Sequence, residues 1–422
     1  TAAWASYVSN WMFFSSIAMG AVMFAAATTI VKAKWNWSLR RISVAFAAFL
    51  PVAFVLMLPM LGLGEEFFPW IEKMAYDPIV QKKAAYLNLP FLITRTLVGV
   101  AVLFGMAIYF AYLAVRPDMG LVDEGDLDAG RASWRARLMS GWAGQEQEEA
   151  RSWRRMSKLA PAMALTYAAV MSFVVYDFAM SLDPHWFSTL FGGWYFMGAF
   201  WGGIAVTAFT AMVLRGRDAD VSRAVGIQQR HDIGKLAFAF TVFWTYLFFS
   251  QYIVIWYGKL PWEQSYMINR SGEAWGSYSL TVIILCFVVP FAGLIGRKAK
   301  MTPVLLQTLT GIILFGLWNE RYFLVAPSIL PGYDSGNMMY HLLTGLGFLG
   351  LFVLAVRWFL GTFPMLQMWQ PVPATEMMEA ELVSAELAAG DPSVRAPSRP
   401  VGPVVGRQAA SGGHRPPSRA RR

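Results

Sequence analysis

Tyr176–Ser188 reads YDFAMSLDPHWFS. It drives an acid, Asp177, into the end of an apolar helix and then leaves through Asp183, Pro184, His185 and Trp186. Asp177 sits roughly four to six residues inside a lipid-grade segment, where an ionisable side chain costs about 2–3 kcal/mol or more unless it faces protein, water or a partner. An acid placed there needs a partner, and the rest of the chain says what kind of protein supplies one.

Of 422 residues, 56% are hydrophobic and 14% charged, and the mean hydropathy is +0.44, outside the range of ordinary soluble domains. Aromatic residues make up 15%, which suits a chain with two lipid-water interfaces to anchor. One cysteine, Cys286, allows no internal disulfide, no thiolate cage for an iron-sulfur cluster and no zinc ribbon. Of the four histidines, His414 falls in a polar tail, His185 and His231 read as loop residues, and only His341 is near a helix. Paired haem ligands on facing helices are therefore not expected, and no metal site is read.

Apolar runs of about 20 residues, enough to cross a hydrocarbon core of roughly 30 Å, fall near 9–31, 42–63, 89–115, 159–182, 190–214, 236–256, 276–296, 303–326 and 338–360. The expectation is an all-α polytopic membrane bundle of about nine transmembrane helices, arranged as two four-helix bundles plus one extra helix. The odd connections carry 20 Lys and Arg and the even ones 5. That asymmetry puts the odd connections and the C-terminus in the cytoplasm and the N-terminus of the chain outside. The net charge of +9 is thus a matter of topology, and nucleic acid is not an expected partner.

Residues 1–365 form the bundle in this reading. Residues 116–158 are an amphipathic connection on the cytoplasmic surface that includes a helix-compatible run, Gln145 to Lys158. Residues 366–422 are a largely disordered basic tail able to touch anionic lipid, with one short helix around Thr375–Ala389. The start at Thr1, without a signal pattern, implies residues upstream.

With orientation assigned, five spans bring polar groups to one layer roughly 5–10 Å beneath the outer surface at about 1.5 Å per residue: Arg95, Asp177, Gln251 with Tyr252, Glu320 with Arg321, and His341. Two readings stand: buried ion pairs, Arg95 with Asp177 or with Glu320, that hold helices in register, or a site that binds a polar head group or exchanges protons. In the second, Asp177 and Glu320 are the proton-exchanging groups and Arg95 keeps one of them ionised. Thr241, Thr245, Phe248 and Tyr252 follow one helix face, with His231 and Asp232 at its cytoplasmic mouth. Ser172 and Tyr176 form a shorter stripe. Either could lead protons inward, although such hydroxyls more often serve packing.

Five stretches carry a resemblance in one order along the chain: WSLRRI (37–42), DPIVQKKAAYLNLPFLITR (77–95), YDFAMSLDPHWFST (176–189), HDIGKLAFAFTVFWTYLFFSQYIVIWYGKLP (231–261) and FVVPFAGLIGRKAK (287–300). Together they resemble the F subunit of bacterial alternative complex III, the second quinone-binding membrane subunit of a quinol:cytochrome c oxidoreductase, related to the polysulfide-reductase membrane anchors. The resemblance implies a ten-helix subunit of the bacterial inner membrane, its first helix absent here, with no haem, no iron-sulfur cluster, no covalently bound cofactor and no redox centre of its own. It implies a quinone such as menaquinone as ligand. The implied partners are a sister membrane subunit of like fold, an iron-sulfur protein, multihaem cytochromes c, smaller membrane subunits and lipid. The residues it carries over are Asp177, Asp183, His185, Lys235, Gln251 and Tyr252. The chain departs from the family pattern at Val44 and across Asn319–Tyr322. A secondary transporter and a purely structural membrane anchor remain the other readings of the same residues.

Overall fold

Helix formation follows from composition: long apolar segments with few polar interruptions must satisfy their backbone groups internally to enter lipid. In the computed structural model, which describes residues 2–62, 67–122, 129–330 and 332–369, every regular element is helical. Eight helices are long and apolar enough to cross a membrane: Ala2–Ile30, Trp37–Gly62, Leu89–Gly120, Gln145–Leu182, Thr189–Arg215, Ile227–Gly258, Gly276–Leu294 and Gly336–Thr362. A ninth long helix, Pro303–Ile329, carries Asn319, Glu320 and Arg321 in its interior and is buried around them. Numbered in chain order it is the eighth span, and Gly336–Thr362 the ninth.

Spans one to four close a ring, the first on the fourth, the fourth on the third, the third on the second and the second on the first. Spans five to eight close another in the same order. The two rings share the pairing of span one with span five, and span nine lies along span one and the middle of span two. Two four-helix bundles plus an extra helix therefore describe the chain.

The shared seam depends on small residues. A Cβ on Gly203 would lie 2.1 Å from the backbone carbon of Gly20, and one on Gly20 would lie 2.0 Å from the carbonyl oxygen of Ala199. Glycine at both positions lets the backbones touch, the packing that replaces the hydrophobic drive between helices in lipid. Two spans depart from α geometry beside a proline. Span two tightens to a 3-10 turn at Phe46–Phe49, where Pro51 removes the N–H that would bond Ala47. Span seven widens to a π turn at Ile284–Val288, where Pro290 does the same to Cys286.

Three expectations change. The run from Gln145 to Lys158 is not a separate surface helix: it is the first part of a 34-residue helix, Gln145–Phe178, that continues into span four. Nothing between Lys158 and Pro161 stops it, and Glu148, Ser152 and Met156 give it a buried face. His231 is not in a loop but on the first turns of the span-six helix. The chain beyond span nine is tied down through Trp369: the amides of Met368 and Trp369 donate to Asp118 Oδ1 at 2.9 and 3.1 Å, and the Trp369 indole donates to the Ala114 carbonyl at 2.9 Å. Asp118 is fully buried and also pairs with Arg41 of the Arg40-Arg41 doublet. The expected helix Thr375–Ala389 lies outside the described residues.

Candidate functional site

The polar layer resolves into three clusters. The first belongs to the bundle of spans one to four. Arg95, on the second turn of span three, faces Asp177 on the last turn of span four. Nε contacts both carboxylate oxygens at 3.1 and 2.9 Å and Nη2 reaches Oδ1 at 2.5 Å. Asp177 also accepts from Tyr86 Oη at 3.1 Å and Thr96 Oγ1 at 3.3 Å. The guanidinium lies 3.8 Å from the Tyr86 ring centre. Asp177 thus spends its acceptor capacity on protein donors, which suits an ion-paired anchor.

A clasp of connecting loops adjoins this pair. Asp77 caps the turn Pro78–Gln81 through the amides of Ile79 and Val80 and meets His185 Nε2 at 2.5 Å. Lys83 donates to the Pro184 carbonyl at 2.6 Å. The hydrogen bond from His185 is the largest cause holding the Asp77 carboxyl below its ordinary value. Burial lowers Lys83, with nearby Asp183 opposing that shift. Trp186 then stacks on Tyr266 at 3.7 Å with planes 6° apart, and Tyr266 stacks on the guanidinium of Arg270 at 3.5 Å. Arg270 in turn donates to the Leu324 carbonyl and to Ser328 at 3.1 and 2.8 Å. The Asp183-Pro184-His185-Trp186 turn therefore ties one bundle to the other.

The second cluster sits within spans five to eight. Glu320 and Arg321 are neighbours in sequence and ion-paired, both at most 1% exposed. Arg321 lies over the Tyr195 ring at 4.2 Å, in room left by Gly198, where a Cβ would come within 3.2 Å of Arg321 Nη2. Glu320 Oε1 and Arg321 Nε are buried without a hydrogen-bond partner among the described residues, as is Gln251 Oε1 on span six. Burial raises the Tyr266 phenol to about 12, and Glu320 is among the charges that act on it.

His341 forms the third cluster, where spans one, eight and nine meet. Its ring lies between Trp318 at 4.2 Å and Tyr322 at 4.3 Å. The Trp318 indole donates to Asn10 Oδ1 at 2.8 Å, so the amide nitrogen of Asn10 must face His341 Nδ1, 3.1 Å away. Asn10 Nδ2 also reaches the carbonyls of Ser6 at 2.8 Å and His341 at 3.1 Å, and His341 Nε2 has no partner among the described residues.

The hydroxyls of the two stripes make local hydrogen bonds. Thr241, Thr245 and Ser172 hydroxyls bond the carbonyls of Ala237, Thr241 and Ala168, each four residues back. Tyr176 bonds the Thr189 carbonyl, and Tyr252 is 42% exposed. His231, Asp232 and Lys235 lie at the opposite end of span six, with Lys235 Nζ 2.7 Å from Asp232. Among the described residues no three His, Cys, Asp or Glu side chains gather as metal ligands do.

No family model matches the chain, and no curated protein does. What identifies the chain is its geometry: a polytopic helical membrane protein with a buried polar layer near one end.

The sequence reading passed over Tyr86, Thr96, Asn10, Tyr195 and Arg270. Tyr86 is the one with a local signal, a tyrosine two residues before the Asn88 cap of span three. Asn10 and Arg270 acquire their roles through partners more than 50 residues away.

Proposed function

We propose that this chain is a membrane subunit of a quinol-oxidising, cytochrome c-reducing complex of the bacterial inner membrane, without a redox centre of its own. It stands beside iron-sulfur and multihaem partners, with the clasp on the outer side. The observation that supports this reading best is Glu320, a carboxylate buried in the second bundle with one oxygen that has no partner among the described residues. A buried carboxylate beside an arginine can accept a proton or a hydrogen bond from a quinol hydroxyl. Gln251 and His341 present further unused polar atoms at similar depth. Asp177 differs: its oxygens are committed to Arg95, Tyr86 and Thr96, so its role is to hold spans three and four in register.

Purification of the tagged chain in mild detergent tests the assignment. Co-purification with haem and iron and with quinol:cytochrome c activity supports it, whereas recovery of the chain alone, free of both, overturns it. Within an assembled complex, Glu320→Gln is expected to lower quinol turnover without loss of subunits. Unchanged turnover would leave the chain a structural anchor.

A further inference from the structure

At the arginine-rich end of the molecule, a cavity of about 150 Å³ opens between spans three and four, lined by Tyr112, Arg116, Glu148, Arg151 and Ser152, with Arg155 at its edge. Three guanidinium groups surround one carboxylate. Glu148, 1% exposed, gives Oε2 to Arg116 at 2.8 Å and Oε1 to Arg151 at 3.1 Å and to the Ala143 amide at 3.3 Å. Its capacity is used. Among the described residues Arg155 has one long contact, 3.4 Å to Tyr109 Oη. The pocket therefore holds a surplus of two positive charges and more N–H donors than acceptors, at an opening where Arg151 is 44% exposed.

An apolar strip leads from this pocket toward the membrane middle. Val98, Val102 and Tyr109 on span three are 56%, 50% and 40% exposed, and Leu165 on span four is 76% exposed. Val98, Val102, Tyr109 and Arg116 recur every four or seven residues and so share a helix face. From Val102 to Arg116 the helix rises about 21 Å, close to half of a bilayer with its head groups. Tyr109 and Tyr112 stack at 6.0 Å with planes 14° apart, at the level where amphipathic rings collect in membranes.

We propose that this groove is a binding site for one anionic phospholipid. The phosphate sits among Arg116, Arg151 and Arg155, and an acyl chain lies along Val102 and Val98. Glu148 positions two of the arginines and sets the surplus charge. A zwitterionic lipid offers the same phosphate but brings its own cation, so it neutralises none of that surplus.

The test uses the purified full chain in mixed micelles of phosphatidylglycerol and phosphatidylcholine, with retained lipid counted by native mass spectrometry. One phosphatidylglycerol per chain is expected to survive activation preferentially. In R151Q/R155Q that retention should fall about 30-fold, from roughly 1 kcal/mol of attraction per basic residue, and excess inorganic phosphate should not displace the lipid. Both substituted side chains are exposed and Arg116 keeps Glu148, so an unchanged melting temperature is expected. If the double variant proves unstable, R155Q alone carries the comparison. Equal retention of the two lipids, equal retention by variant and wild type, or displacement by phosphate would each overturn the proposal.

Discussion

Arg95 holds both oxygens of Asp177 through two guanidinium nitrogens while its face rests on the Tyr86 ring. The pair joins spans three and four beside the Asp77–His185 clasp. Removing one partner of a buried pair strands the other charge, which costs about 3–5 kcal/mol, whereas replacing both by apolar groups is often nearly neutral. Asp177→Ala should therefore lower the detergent melting temperature sharply, and Arg95→Met with Asp177→Leu should recover much of the loss. A double variant as unstable as the single one would show that the charges are needed for something other than register.

Asp118 ties three parts of the chain together: Arg41 of span two, the end of span three, and the amides of Met368 and Trp369. Asp118→Ala is expected to destabilise by about 3–5 kcal/mol and to free the segment after span nine. Limited proteolysis should then cut between Pro364 and Trp369 in the variant at protease levels the wild type resists.

The seam between spans one and five leaves no room at Gly203. Gly203→Ala should cost about 1–3 kcal/mol, as overpacking does, and Gly203→Leu should abolish recovery of folded chain. Gly62, with nothing within 4 Å of an added Cβ, is the control and should accept alanine without a change in melting temperature.

The Asp77–His185 contact is pH-dependent with a definite sign. Asp77 has its folded value depressed, so its contribution is fully present above the unfolded value near 4 and is lost as pH falls through the folded value. The melting-temperature difference between wild type and Asp77→Asn should shrink as pH falls below about 4. A difference that persisted undiminished well below pH 4 would contradict the assigned pairing.

The stripe of hydroxyls on span six shows where sequence reading meets its limit. Thr241 and Tyr252 lie eleven residues apart, on one face of an ideal helix. The buried residues, however, include Arg230, Ala237, Trp244 and Gln251, a spacing of seven. A seam of that period drifts about 20° per heptad across a 3.6-residue helix. By the C-terminal end of the helix it has moved off Tyr252 and onto Gln251. Only the neighbouring helices set that drift, and no single-helix pattern contains it.

Length, hydropathy and the placement of Lys and Arg determined the number of long helices, and the cost of charge in lipid marked Arg95, Asp177, Glu320 and His341 as residues that had to be partnered. Those signals are local, because each segment must satisfy its own backbone and each charge pays its own desolvation. The tertiary structure decided which partners met: Asp177 with Arg95, Glu320 with Arg321 of the same helix, and His341 with Asn10 from 331 residues away. It also decided that one acid was saturated and the other kept a free oxygen. Such choices depend on helix rotation and on close approaches at glycines such as Gly20 and Gly203, which come from packing between distant segments.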